Sequence, residues 1–414
     1  MKEADVAIIG GGPAGLSAAI KAKESGLDKV VIIERGENLG GLLDQCIHNG
    51  FGLSYFGEDL TGPEYAWRLI SKAEESGVES LLRCMVLKLY PDRRILLSSD
   101  MGLVELSARA VVLAMGCRER TREALNISGT RPAGILTAGT AQRYVNVYGY
   151  VPGKEAVILG SGDVGMIMAR RLTLEGVKVK AVVEALPYTG GLIRNEVQCL
   201  HDFDIPLLLR HTVGEIHGDE RLKAVTIVKV DEEFNPIAGT EELINCDTLL
   251  ISAGLIPENE LSRMAGIEID PVTGGAIVDG LMQTSIPGIF AGGNVLHVND
   301  LVDNVTLEAE IAGAGAATFV HEGEKTHGSR VKLKAGENIR YVVPQKVTIG
   351  EAVTISTRAL KPMERVYVRV GNMMKKYFRV LKPSQLVRLD VSSAEWKKLD
   401  AGPDQITISC ESKG

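Results

Sequence analysis

Short, wholly apolar runs alternate along this chain with glycine turns and with segments of helical periodicity. Val6-Ala7-Ile8-Ile9 contains no polar member, as expected of a strand buried on both faces of a parallel sheet. It leads into Gly10-Gly11-Gly12-Pro13-Ala14-Gly15, and then into a segment with Ala18, Ala19 and Ala22 at helical spacing. A second run, Val30-Val31-Ile32-Ile33, ends at Glu34, and Gly40-Gly41-Leu42-Leu43 follows. The succession returns 150 positions later. Ala156-Val157-Ile158-Leu159 opens the second copy, followed by Gly160-Ser161-Gly162-Asp163-Val164-Gly165 and a helical segment. A strand at Val179–Val183 then ends at Glu184, and Gly190-Gly191-Leu192-Ile193 closes the copy.

Each copy predicts a strand, a GxGxxG turn, a helix, a second strand and an acid. The first glycine of such a turn allows the sharp bend. The second lets a diphosphate approach the backbone, and the third lets helix and strand pack closely. The diphosphate rests on N–H groups at the helix N-terminus, where the helix dipole favours negative charge. The acid accepts hydrogen bonds from an adenosine ribose. Both copies carry the strand, the helix and the acid at the required distances, so two dinucleotide sites are expected.

Three further segments stand out. The strand Ala110–Ala114 runs into Met115-Gly116, and Thr248–Ser252 runs into Ala253-Gly254 and Pro257. Both suit a chain crossing between domains. Gln283–Asn294, ending Phe290-Ala291-Gly292-Gly293-Asn294, precedes a helix rich in small residues at Glu308–Ala317. Beyond Arg330 the pattern changes to short strands, at Val347–Ser356, Arg365–Val370, Tyr377–Val380, Leu386–Val391 and Gln405–Ser409.

Composition narrows the class. The 414 residues are 45% apolar and 24% charged, which is ordinary for globular domains. No apolar run reaches the ~18 residues of a membrane-spanning helix. The start of the chain lacks the basic, apolar and small-residue succession of a signal peptide, so a cytoplasmic location is expected. The net charge of −7 disfavours general nucleic-acid binding. Charge is uneven, however: residues 330–414 hold 17 Lys and Arg against 8 Asp and Glu. That basic segment, with Lys375, Lys376, Lys397 and Lys398 in adjacent pairs, reads either as a structural extension or as a dock for an acidic partner. The six cysteines, 46, 84, 117, 199, 246 and 410, form no CxxC or CxxxxC pair, so reduced thiols and no metal or iron–sulfur site are expected.

The two fingerprints, the Met115-Gly116 crossing and Thr284–Asn294 resemble the flavoprotein pyridine-nucleotide oxidoreductases with two dinucleotide-binding domains, the superfamily of thioredoxin and glutathione reductases. The resemblance spans roughly residues 4–320. It implies an α/β fold of two Rossmann-like domains, the second inserted in the first, with a small β-rich C-terminal domain. The implied ranges are 1–119 and 254–329 for an FAD domain, 120–253 for the inserted NAD domain and 330–414 for the appendage. It implies FAD on Gly10, Gly12, Pro13, Ala14, Gly15, Glu34, Arg35, Gly41, Leu42, Ala114, Gly116, Gly293 and Asn294. It implies NAD on Gly160, Gly162, Asp163, Val164, Gly165, Glu184 and Gly254. Asn294 stands where the family's second FAD motif places an aspartate, so the ribityl bond is expected without its charge.

Met115–Arg120 and Gly134–Gln142 resemble more closely the flavin subunits of bacterial multisubunit dehydrogenases acting on opines, sarcosine and related amines, and of hydrogen cyanide synthase. Gln45–Leu53 and Asn338–Val347 resemble a narrower group that accompanies a glycerol-3-phosphate-dehydrogenase-like flavoprotein and a small cysteine-containing protein. Disulfide-reducing members carry a redox-active cysteine pair beside the flavin. Here Cys46 alone follows Gly40-Gly41, with His48 two positions on. The pair reads either as a flavin-proximal thiol with a tuning imidazole, or as a buried thiol beside a histidine bonded to a backbone carbonyl. Arg118 and Arg120 are surface charges or anion contacts. The expected function is hydride transfer between nicotinamide and FAD in the NAD-linked flavin subunit of a multisubunit dehydrogenase, with partners carrying flavin or iron–sulfur centres. A stand-alone NADH oxidase or NADH:acceptor reductase and a non-catalytic flavin-bearing subunit are the alternatives.

Overall fold

The structure is a computed structural model that describes residues 2–323, 330–398 and 404–412. The chain divides into two compact units, one of residues 1–117 and 257–414, the other of residues 118–256. The expected join at residue 329 falls outside the described residues.

The first unit is built on strand β1 (Lys2–Ile9), helix α1 (Pro13–Glu24), strand β2 (Val30–Ile33), helix α2 (Gly62–Glu75) and strand β3 (Gly102–Leu113). β1 lies between β2 and β3, parallel to both, with Val6 opposite Val30 and Ala110. Covered on both faces, β1 has no use for polar residues, and Val6, Ala7 and Ile8 are fully buried. α2 starts at a capping box, in which the Thr61 side chain accepts from the Glu64 N–H and the Glu64 carboxylate accepts from the Thr61 N–H.

The second unit repeats this design with β4 (Glu155–Leu159), α3 (Asp163–Leu174), β5 (Lys178–Glu184) and β6 (Thr248–Ile251). These strands sit in a five-stranded parallel sheet with Ile135–Thr137 and Leu207–Leu209 at its edges. Both units are therefore Rossmann-like α/β structures.

The chain then re-enters the first unit. β7 (Ile289–Ala291) pairs in parallel with β3, and α4 (Val302–Glu322) packs on α1. α4 is longer than the small-residue stretch at 308–317 suggested. The small residues mark where α1 crosses it: a Cβ on Gly313 would lie 2.3 Å from the Ala18 carbonyl oxygen, and Ala309, Ala312 and Ala316 are fully buried.

The C-terminal region is β-rich, as expected, with β8 (Ile339–Val343), β9 (Val353–Ala359), β10 (Met363–Val370), β11 (Met374–Leu381) and β12 (Val387–Val391) among its strands. They form a five-stranded and a three-stranded sheet around one apolar core. The segment 347–356, expected as one strand, is broken by a turn at Gly350, whose φ is +94°. Arg330–Ala335 and β8 carry no strand expectation from the sequence. Arg330–Ala335 alternates charged residues outward with buried Val331 and Leu333. β11, with exposed Lys375 and Lys376, is an edge strand, where lysine discourages unwanted pairing. The region has its own apolar core and also packs on the α/β part. Tyr341 and Val343 belong to the core of the α/β part, and the Val278 N–H donates to Gln345 Oε1 at 3.0 Å.

Gly313→Ala should destabilise the chain by about 1–2 kcal/mol, because backbone overlap with Ala18 outweighs the ~1 kcal/mol of helix propensity gained. Gly280→Ala, whose Cβ would meet only Val353 Cγ2 at 3.7 Å, should shift stability by less than ~0.5 kcal/mol. Urea unfolding of the two variants checks the difference.

Candidate functional site

At the first fingerprint the three glycines have distinct environments. Gly10 has φ +110°, and a Cβ there would lie 2.4 Å from the Ala114 carbonyl oxygen. A Cβ on Gly15 would lie 1.8 Å from the Gly10 carbonyl oxygen. Neither position admits a side chain. A Cβ on Gly12 would meet only the Gly41 Cα, at an ordinary contact distance of 3.9 Å, so Gly12 alone of the three has room for one. Gly12 precedes Pro13 and Ala14 in the first turn of α1, and no side chain caps that helix. Glu34, at the end of β2, accepts from the N–H of Gly11 at 2.7 Å and of Gly36 at 2.6 Å. Gly40 donates to the Gly11 carbonyl at 2.9 Å, which seats Gly41 and the exposed Leu42 beside the fingerprint. Arg35 points to solvent.

The second unit repeats these contacts. A Cβ on Gly160, φ +102°, would lie 2.2 Å from the Ser252 carbonyl oxygen, and one on Gly165 would lie 2.6 Å from the Gly160 oxygen. Gly162 again has room, with its nearest neighbour at 3.7 Å. Glu184 accepts from the Ser161 N–H at 2.8 Å, the Ser161 hydroxyl at 2.7 Å and the Leu186 N–H at 2.9 Å. The Gly190-Gly191 turn folds back as Gly40-Gly41 does, through Gly190 N–H donating to Ser161 Oγ at 2.8 Å. Asp163 ties that loop down by accepting from the Leu192 N–H and from Asn195 Nδ2, at 2.8 and 2.6 Å. Val164 is half-buried in the same turn of α3. Gly254, φ +98°, accepts from the Arg120 N–H at 3.1 Å.

Within the first unit, distant segments converge on the first fingerprint. Ala114 donates its N–H to Ile9, and Gly116 turns with φ +72°. Gly293, φ +78°, sits so close to α1 that a Cβ would lie 2.9 Å from the Ala14 Cβ. Asn294 Oδ1 accepts from the Asn299 N–H at 2.9 Å, and its Nδ2 points at Cys117 Sγ at 3.7 Å. Cys46 follows a 3₁₀ turn, Gly41–Gln45, and its thiol donates to the Leu42 carbonyl at 3.4 Å. Burial, helped by the Asp44 carboxylate, pushes that thiol up to about 12. His48 Nδ1 lies 3.0 Å from the Asn49 carbonyl oxygen. All six cysteines are thiols, with no disulfide among them.

Three residues that sequence reading passed over organise this region. Asp303, at the start of α4, is buried and accepts from the N–H groups of Gly52, Ser54 and Tyr55 at 2.9, 2.7 and 3.2 Å. Glu308 accepts from the Gly293 N–H at 2.9 Å, and His297 Nε2 lies 2.8 Å from its other oxygen. Acids in an otherwise small and apolar helix were the available signal, since a buried carboxylate requires partners.

The family model described as pyridine nucleotide-disulphide oxidoreductase matches residues 4–318. Thioredoxin reductase of Listeria innocua is 28% identical over 77% of this chain and 94% of its own length. The hydrogen cyanide synthase subunit HcnB of Pseudomonas protegens is 26% identical over 70% of this chain and 65% of its own. The crystal structure of T. acidophilum thioredoxin reductase superposes with a TM-score of 0.63 at 25% identity, covering 77% of this chain and 99% of its own.

A thiol whose ionisation lies near pH 12 stays protonated at neutral pH and is a poor nucleophile. Cys46 should therefore react with iodoacetamide at least about tenfold more slowly at neutral pH than free cysteine, by mass-spectrometric peptide mapping. Fast labelling would contradict the burial that holds the proton.

Proposed function

The chain belongs to the pyridine nucleotide-disulphide oxidoreductase family, and we propose that within it the chain is the NAD-linked flavin subunit of a larger electron-transfer dehydrogenase. It is an FAD-dependent NAD(P)H oxidoreductase. The observation that carries the subunit reading is the pairing of two complete dinucleotide fingerprints with six thiols of which no two are spaced as a redox pair. The disulfide relay for which the family is named is missing, so electrons on the flavin need an outside partner. The likeness to a protein named as a synthase subunit supports the same reading.

In this reading FAD lies on the first fingerprint. The uncrowded backbone at Gly12 and the start of α1, which no side chain caps, fit a diphosphate, with Pro13, Ala14 and Gly15 supplying the helix turn beneath it. Glu34 uses two acceptor sites on backbone N–H groups and keeps others for a ribose. Gly41, Leu42, Ala114, Gly116 and the Gly293-Asn294 turn border the same place. NAD lies on the second fingerprint, where Glu184 holds one remaining acceptor site for a ribose hydroxyl beside Gly160, Gly162 and Gly165. When bound, the cofactors supply hydride transfer between nicotinamide and flavin, and the protein supplies orientation and electrostatics. The basic C-terminal region, with its lysine-bearing edge strand, is the proposed dock for an acidic partner carrying the next redox centre. No described helix is long and apolar enough to cross a membrane.

The purified chain should reduce artificial dyes with NADH and consume oxygen slowly. Fast oxygen reduction would instead identify a self-contained oxidase, and absence of NADH binding a non-catalytic flavin subunit.

Gly12→Val places its Cβ at ordinary contact distance from Gly41, so it should fold yet purify without the flavin absorbance. A normal flavin spectrum would remove the first fingerprint from the FAD site.

Glu184 would repel a 2′-phosphate, and no Lys or Arg occurs from Ala185 to Ile193. Catalytic efficiency should favour NADH over NADPH by on the order of tenfold or more, as one charge-assisted hydrogen bond of ~1.5–3 kcal/mol would give. Equal efficiencies would contradict the assignment.

A further inference from the structure

An unbroken line of buried polar groups runs from the C-terminal sheets to the Gly293-Asn294 turn. Arg358, on β9, donates its Nε–H to the Tyr341 hydroxyl on β8 at 3.1 Å. That hydroxyl lies 3.3 Å from His297 Nδ1, and His297 Nε2 lies 2.8 Å from Glu308 Oε2. Glu308 Oε1 then accepts from the Gly293 N–H at 2.9 Å. His297, Glu308, Tyr341 and Arg358 are 1%, 4%, 7% and 8% exposed, so they rely chiefly on one another and on protein partners.

Tyr341 accepts from Arg358, an obligatory donor, and its hydroxyl meets His297 Nδ1 on its other side. His297 is thereby bonded at both ring nitrogens, to Tyr341 and to Glu308, which fixes the plane of the imidazole. Arg358 is held in turn by Asp300 Oδ1 at 2.5 Å, and by the Val298 and Pro383 carbonyls at 2.9 and 3.0 Å. Burying four such groups is costly compared with apolar packing, and apolar side chains would join the two regions as firmly. What the polar line provides is direction. It aims the Glu308 carboxylate at one backbone N–H, in a turn of left-handed conformation pressed against Ala14 of the first fingerprint.

We propose that Tyr341 is a positioning residue for the flavin, with Arg358 behind it, acting through His297, Glu308 and the Gly293 N–H on the turn that holds the flavin. The C-terminal region is then a working part of the flavin site as well as a dock. This rests on the reading of the first fingerprint as the FAD site.

The full-length chain tests it with three variants. Tyr341→Phe removes one oxygen and interrupts the line, leaving Arg358 Nε and His297 Nδ1 without their partner. Gln345→Ala removes two contacts between the same two regions, to Val278 and Asp270, that are not on the line. Glu308→Gln interrupts the line at its other end. FAD dissociation constants by fluorescence titration, visible circular dichroism of the bound flavin and melting of the apoprotein are measured for each. Tyr341→Phe should weaken FAD about tenfold and alter the flavin dichroism, while Gln345→Ala changes affinity less than about twofold at a similar loss of melting temperature. Tyr341 and Glu308 are joined through His297, so their effects on FAD affinity should be non-additive in the double variant. Wild-type affinity in Tyr341→Phe, equal losses in Tyr341→Phe and Gln345→Ala, or strict additivity would each overturn the proposal while leaving the flavin reading in place. Failure of the wild-type chain to take up FAD, or retention of FAD by Gly12→Val, would overturn the flavin reading and the proposal with it.

Discussion

In both halves of the repeat a carboxylate at the end of the second strand accepts the backbone N–H of the residue after the first glycine, Glu34 from Gly11 and Glu184 from Ser161. Much of each site depends on that bond. It ties the second strand to the glycine turn and holds the following helix start in register with the sheet. It also leaves an acid beside each glycine turn. The same carboxylates accept from the residue two positions on, Gly36 and Leu186, so the chain leaves each strand in a fixed direction and brings a Gly-Gly turn back over the fingerprint. Because the bonds end on backbone N–H groups, the geometry survives the change from Gly11 to Ser161.

Close backbone approach is the second constraint. Gly10 against Ala114, Gly293 against Ala14 and Gly313 against Ala18 each occupy space that a Cβ would fill. Through these contacts, segments almost 300 residues apart in sequence converge on one helix, α1. The C-terminal sheets join the assembly by different means, a shared apolar core at Tyr341 and Val343 and a charged clamp of Arg358 on Asp300.

The thiols bear on the direction of electron flow. Cys46 occupies the position after the Gly-Gly turn, but burial and Asp44 keep its proton in place. Asn294 removes a negative charge from the place where the resemblance puts the flavin ribityl chain, and its amide oxygen is used by the Asn299 N–H.

The repeat, its glycines and its acids were legible in the sequence because each acts on backbone within some 35 residues, where spacing alone sets the geometry. The strands around them were legible because full burial leaves no polar residue in Val6–Ile9 or Ala156–Leu159. Asp303, Glu308 and His297 were not, since a buried acid or imidazole is defined by its partners, and these lie 11 to 251 positions away. Nor was the integration of the C-terminal region. Its basic charge and alternating strands describe a free-standing module equally well, and only packing of Tyr341, Val343 and Arg358 against the α/β part decides otherwise. Local backbone geometry is written in residue type and spacing, whereas the pairing of buried polar groups across the core depends on which surfaces meet, and that is settled by the tertiary structure.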